Sequence, residues 1–223
     1  MQTYLSKGRI GSYPLMSQHT YVSKNCRRIA RALFEIVLQK GWPLATASVL
    51  KVALMFERQM WHFENPFLQF IWRRELIKIV IDKELTIDGV REMDSKELEI
   101  LIQGKNAAKL SQLLKFYAGA FPKVELEATI QPITRTDIKV TLIVTPDFWW
   151  DNQIHGTSEA FWIWVEDPET NQMYYHEYFI LTEKQVIKRE SETVVFTIPI
   201  SEPLPSQYYI KAINDRWLGS ECI

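Results

Sequence analysis

The sequence predicts an α+β fold: a helical bundle over residues 1–84, a helix–loop–helix over 85–120 and an immunoglobulin-like antiparallel β-sandwich over 121–223. Three observations carry this expectation. Apolar residues recur at helical spacing through the first half of the chain. Just after Phe121-Pro122 the pattern changes to period two with many β-branched residues. Six or seven short candidate strands then fit into residues 121–223 with turn residues between them, which is the density of a sandwich.

Taken in order, the first strong element is a helix over Tyr21–Lys40, where Val22, Cys26, Ile29, Leu33, Ile36 and Val37 form an apolar stripe. Gly41-Trp42-Pro43 stops it, because Gly suits a left-handed cap and Pro cannot continue the hydrogen-bond ladder. A second helix, Ala45–Trp61, follows at once, so the two are expected to form an antiparallel hairpin that Asn65-Pro66 ends. Shorter helices are expected at Glu75–Lys83, Ile87–Met93, Ser95–Ile102 and Asn106–Phe116. The last two are joined by Gln103-Gly104-Lys105, and Asp94 or Ser95 caps the first of them. Strands are expected at Glu125–Pro132, Asp137–Thr145, Ala160–Glu166, Met173–Phe179, Glu192–Ile198 and Tyr208–Asp215, with turns at Asp167-Pro168 and Glu202-Pro203. Ser220-Glu221-Cys222-Ile223 looks like the opening of a further strand, so the sandwich is expected to continue past it.

The net charge of −1 hides an asymmetry. Residues 1–122 carry 18 Lys and Arg against 11 Asp and Glu, while residues 123–223 carry 8 against 16. Before residue 59, nine basic residues face only Glu35 and Glu57. A positive first third points to a polyanion or an acidic partner, and the acidic end argues against nucleic acid wrapping the whole chain. No apolar run approaches the length of a membrane span. Cys26 and Cys222 lack metal spacing, which favours a reducing compartment, cytosol or nucleus, over a disulfide.

The first helix carries the most informative local feature. Lys24, Arg27, Arg28 and Arg31 fall at i, i+3, i+4 and i+7 and so share one side. Guanidinium groups stack on unpaired bases and pair with phosphates, which makes these four the candidate nucleic-acid-binding residues. The competing reading is a solvated face making surface ion pairs, for example Arg31 with Glu35. Phe148-Trp149-Trp150 and Phe161-Trp162-Ile163-Trp164 could form a binding platform, but strand alternation places most of them in a sandwich core, leaving one of Trp149 and Trp150 exposed.

Catalytic chemistry finds little footing. His19, His62, His155 and His176 are scattered, and no metal-ligand spacing joins them. There is no phosphate-binding loop of Walker type and no nucleophile elbow. No catalytic residue, metal or cofactor is expected.

Four runs of residues carry a family resemblance: Gln131-Pro132-Ile133-Thr134-Arg135-Thr136, His155-Gly156 leading into Phe161–Pro168, Glu202–Ile210, and Asp215-Arg216-Trp217-Leu218. Together they resemble the Brl, or Sec-sixty-three, unit of Ski-two-like RNA helicases with two helicase cassettes. The resemblance implies a bundle with a long "ratchet" helix crossing the strand that leaves the motor, and residues 25–42 match that helix. Arg28 and Arg31 fall on basic positions of the family pattern, whereas Arg27 replaces a residue that is often small. The resemblance implies a parent that is an ATP-dependent helicase in the cytoplasm and nucleus, working in ribosome quality control or DNA repair. This chain is then its non-catalytic C-terminal unit, guiding single-stranded RNA or DNA and docking on motor domains in cis or on other complex subunits. The alternative is a protein-interaction scaffold that binds no nucleic acid. On the first reading, replacing Arg28 and Arg31 together leaves the fold intact and abolishes strand affinity.

Overall fold

The computed structural model describes residues 1–70, 74–104, 106–200 and 207–223. Helices α1 (Gln2–Leu5), α2 (Tyr13–Gln39) and α3 (Pro43–Arg58) come first. At 27 residues α2 is about 40 Å long. It begins at Tyr13 rather than Tyr21 because Pro14 sits in its first turn, where a missing N–H costs nothing. Tyr13, Leu15 and Met16 are exposed there, so burial periodicity gave no sign of the extra turns.

The apolar stripe expected to bury α2 is misplaced. The buried residues are Cys26, Ala30, Phe34 and Leu38, spaced by four, whereas Val22, Ile29, Leu33 and Ile36 are 44–55% exposed. The helix turns a drifting line of small and large residues inward and leaves the bulkier branched line facing out. After α2, Gly41 takes a left-handed φ of +69°, and Pro43 opens α3. The Gly41 carbonyl accepts from the Met173 N–H at 3.1 Å, tying the turn to the sandwich.

A 3-10 turn, Pro66–Gln69, leads to α4 (Arg74–Asp82), α5 (Ile87–Glu92), α6 (Ser95–Ile102) and α7 (Ala107–Ala120). The α6 cap is Asp94, whose N–H donates to the Glu97 side chain at 3.3 Å. α7 runs four residues past the expected Phe116, and Gly119 in its last turn lets the Trp149 ring lie against the helix, 3.3 Å from where a Cβ would stand. Lys105 of the α6–α7 loop and the turn at Glu202-Pro203 lie outside the described residues.

The strands β1 (Val124–Pro132), β2 (Asp137–Pro146), β3 (Ser158–Asp167), β4 (Gln172–Thr182), β5 (Glu192–Pro199), β6 (Tyr209–Asn214) and β7 (Glu221–Cys222) form two antiparallel sheets. Their orders are β1-β2-β5 and β4-β3-β6-β7. Two short helices, α8 (Asn152–His155) and α9 (Glu183–Lys188), fill loops that the sequence pattern did not reveal. Phe161, Ile163 and Val165 point between the sheets with Val140, Leu142 and Leu181. Trp162 points the other way, into the helical core, and meets Phe34 edge-on at 5.1 Å. The second sheet is therefore covered on both faces, and the aromatic run is divided between two cores rather than collected in one. Trp149 is 57% exposed, as one of its pair was expected to be.

Three apolar cores result, one under α2 and α3, one within α4–α7, and one between the sheets. The turn after β6 joins them. Leu218 belongs to the first core, and Trp217 belongs to the second, where it stacks on Phe70 at 4.5 Å. Gln69 holds the same turn by donating to the Leu218 carbonyl at 2.9 Å and accepting its N–H at 3.0 Å. Cys26 and Cys222 are free thiols.

Candidate nucleic-acid interface

Because α2 buries only one side, its polar residues divide according to their distance from that side. Arg31 lies next to the buried line and is consumed by the fold. Its Nε and Nη2 donate to the two Glu57 carboxylate oxygens at 2.6 and 2.8 Å. Its Nη1 pairs with the Asp215 carboxylate, and Nη2 also donates to the Asp215 carbonyl at 2.6 Å. Asp215 in turn accepts from Trp162 Nε1 at 2.8 Å and from the Tyr178 hydroxyl at 3.2 Å. Burial alone would ease the proton off Arg31, but pairing with Glu57 and Asp215 outweighs it and holds the guanidinium above its ordinary value. The partner expected from helical spacing, Glu35, makes no ion pair with Arg31 among the described residues. Glu57 of α3 stands in the charge count of the first third, but Asp215, in the turn after β6, is 184 residues away and beyond the reach of linear counting.

Arg27 is half committed. Nε donates to the Phe56 carbonyl at 3.1 Å and Nη2 to the Tyr4 hydroxyl at 2.6 Å. Arg28 is exposed and makes one long contact, 3.4 Å to the Asn25 side chain. Lys24 is exposed and has no ion-pair partner among the described residues. The four basic residues do share one side of the helix, but only Lys24 and Arg28 present unclaimed charge, with Arg27 between them and the interior.

Two more arginines line the same junction: Arg58, which carried no signal in the sequence, and Arg216, which stood there only as part of the run Asp215-Arg216-Trp217-Leu218. Arg58 lies 4.0 Å over the Trp217 ring and donates to the Arg216 carbonyl at 2.6 Å. Burial first, and then the like charge of Arg216, push its pKa down to about 10. Arg216 reaches Glu159 at 3.3 Å, and Glu159 is fully buried and accepts from Trp217 Nε1 at 3.1 Å. Burial raises the Glu159 carboxyl, while Arg216, Trp217 and Asn214 act against that rise. These contacts fix α3 to the sandwich, and although 41% of the Arg216 side chain is exposed, its guanidinium is engaged with Glu159 and the backbone of α8.

His155, next to the only Gly-Thr-Ser run, is likewise structural. Its ring is buried, with Nε2 against the Ala120 carbonyl at 2.8 Å and Nδ1 accepting from the Asp151 N–H at 2.9 Å. No cluster of metal-ligating side chains occurs among the described residues, and no described helix is long and apolar enough to cross a membrane.

An apolar groove of about 350 Å³ runs beside the basic face, lined by Val22, Ile29 and Leu33 of α2 and by Val49, Val52 and Phe56 of α3. It is where the exposed stripe of α2 lies.

Comparison with known proteins agrees with this architecture. Activating signal cointegrator 1 complex subunit 3 of Gallus gallus is 44% identical over 225 residues, covering all of this chain and 10% of that protein. The Homo sapiens protein of the same name is also 44% identical with the same coverage. The U5 small nuclear ribonucleoprotein 200 kDa helicase of Homo sapiens is 37% identical over 222 residues, or 99% of this chain and 10% of the relative. The chain thus spans about a tenth of the length of these relatives. The profile of the Sec63 Brl domain family matches residues 1–223, and the chain belongs to that family.

Proposed function

We propose that this chain is the helicase-associated unit of a longer ATP-dependent helicase and that it guides a single strand of RNA or DNA along the outer face of α2. The observation that carries this reading is the unclaimed charge of Lys24 and Arg28 on a helix that the rest of the fold holds rigidly. The U5 relative is named a helicase, and the chain aligns with it almost end to end. Motor domains in the same parent protein, or other subunits of its complex, are the proposed docking partners of the remaining surface. Chemistry on ATP is assigned to those other parts of the parent.

Arg31 has a different part here from the one its sequence position implies. It positions the helix, and Lys24 and Arg28 make the contacts. The test is fluorescence anisotropy of a labelled single-stranded RNA across a salt series, with single-stranded DNA alongside. Lys24→Ala with Arg28→Ala should weaken binding about thirty-fold or more, since two contacts at about 1–3 kcal/mol each are lost. The slope of log affinity against log salt should flatten by about 1.4, or about 0.7 per lost phosphate contact. Unchanged affinity in the double variant would overturn the reading.

A second reading has its own observation in the apolar groove beside the basic face. If the wild-type chain binds no strand at low salt, that groove and the exposed Trp149 identify the unit as a protein-docking module.

A further inference from the structure

Between α1, the first half of α2 and the end of α3 lies an open pocket of about 530 Å³. Tyr4, His19, Thr20, Ser23, Lys24, Arg27 and Gln59 line it, and no carboxylate is among them. Three of these side chains carry polar groups that make no hydrogen bond or ion pair among the described residues. His19 Nε2 is buried and has no hydrogen-bond partner among the described residues. A guanidinium carries five N–H groups, and Arg27 spends two of them, on Phe56 and Tyr4, so three remain. Lys24 adds an ammonium that has no ion-pair partner among the described residues.

A buried imidazole nitrogen without a partner costs stability unless something pairs with it. The charged side chains of the pocket lining are two cations, Lys24 and Arg27, and the hydroxyls of Thr20 and Ser23 already donate back to the helix at 2.9 and 2.7 Å. Two cations with no carboxylate beside them favour an occupant with negative charge, and the Nε2–H tautomer of His19 donates to such an acceptor. The Arg27 fork is held in place by the Phe56 carbonyl and the Tyr4 hydroxyl, which suits the tetrahedral oxygens of a phosphate. The volume exceeds that of a bare phosphate and admits an attached sugar.

We infer that the His19–Lys24–Arg27 pocket binds a phosphate group, supplied by the backbone of the strand that α2 carries. The source rests on the proposed function, because Lys24 belongs to both the pocket and the outer face. The pocket gives that strand a fixed point, one turn before Arg28, where a phosphodiester is gripped rather than passed along. His19, Ser23 and Arg27 are spaced by four on α2, so one helix face carries the strand from the pocket to the open surface.

The experiment follows the His19 side-chain signals by NMR in the whole chain, assigned with His19→Ala, during titration with inorganic phosphate and with an eight-nucleotide oligouridylate ending in hydroxyls. A third titration uses the same oligomer with neutral methylphosphonate linkages. Both phosphate and the charged oligomer should shift His19, and the neutral oligomer should not. Thr20→Glu places a carboxylate in the pocket from an exposed helical position, so it keeps the fold, and it should weaken the charged oligomer about ten-fold or more, as like charge replaces an attractive site. If phosphate shifts His19 and the oligomer does not, the pocket takes a terminal or free phosphate and the strand as its source is overturned. If the oligomer binds in an Arg28-dependent way while His19 stays silent and Thr20→Glu binds normally, the guiding role stands and this pocket is refuted. If nothing binds, both fall.

Discussion

Arg28 and Arg31 are three residues apart on one helix, and the fold asks opposite things of them. Arg31 makes a bidentate pair with Glu57 and a second pair with Asp215, with 24% of its side chain exposed. Arg31→Ala strands those two carboxylates at a partly buried junction and should cost about 2–3 kcal/mol, read as a lower denaturant midpoint. Arg28→Ala should leave that midpoint unchanged within about 0.5 kcal/mol, because its one hydrogen bond among the described residues is a long one at an exposed position. Replacing both, which the sequence alone recommended as a clean binding test, therefore mixes a stability loss with a contact loss. Glu159 supplies a pH prediction at the same scale. Its folded carboxyl holds a proton above the ordinary value of 4.5, chiefly through burial. Between those two values the folded state binds more protons than the unfolded one, so this residue's contribution falls as pH rises from 4.5 upward. Glu159→Gln should remove that downward slope from the melting temperature measured against pH. An unchanged slope would refute the assignment.

At the scale of the element, α2 shows how far pattern reading reaches. Phe34→Ala removes a fully buried ring that meets Trp162 and should cost about 3–5 kcal/mol, whereas Ile36→Ala, at a position expected to be core, should cost under about 1 kcal/mol. Equal losses in thermal unfolding would restore the stripe read from the sequence. That stripe failed because α2 carries apolar residues around well over half its circumference, and spacing cannot say which part faces inward. The turn at Gly41 and Pro43 was legible because one residue takes a backbone angle that Gly favours and the other opens a helix without an N–H to lose. The strands were legible because alternation is strict in β2, where buried and half-buried positions take turns along its whole length. The short helices α8 and α9 were not legible, since one turn of chain offers no period to detect. The basic residues of the candidate interface were visible as a set, but their division into fixed and unclaimed ones depends on Glu57 and Asp215, and Asp215 is 184 residues away from Arg31. His19 was passed over because the helix was expected to begin two residues after it.

For the whole molecule the turn Asp215–Leu218 is the common element. Asp215 holds α2, the Arg216 carbonyl holds α3, Trp217 fills the helix–loop–helix core and Leu218 the helical-hairpin core. Trp217→Ala removes a stack on Phe70, a hydrogen bond to Glu159 and the ring beneath Arg58. It should cost about 4 kcal/mol or more and split one calorimetric transition into separate ones, as the cores lose their shared member. A single transition merely shifted to lower temperature would show that the cores are coupled elsewhere, for instance through Arg91, which bonds Ala118, Phe121 and Asp147 at once. The placement of this turn also sets a timetable for biosynthesis. Arg31 and Asp215 are 184 residues apart, so at about 5–20 residues per second the ribosome needs roughly 10–40 s after making the helix before it makes the helix's clasp. Until Trp162 and then, 53 residues later, Asp215 are made, α2 has only Glu57 and the apolar side of α3 to hold it, and the side of Phe34 that later meets Trp162 is open to whatever chaperone is at hand.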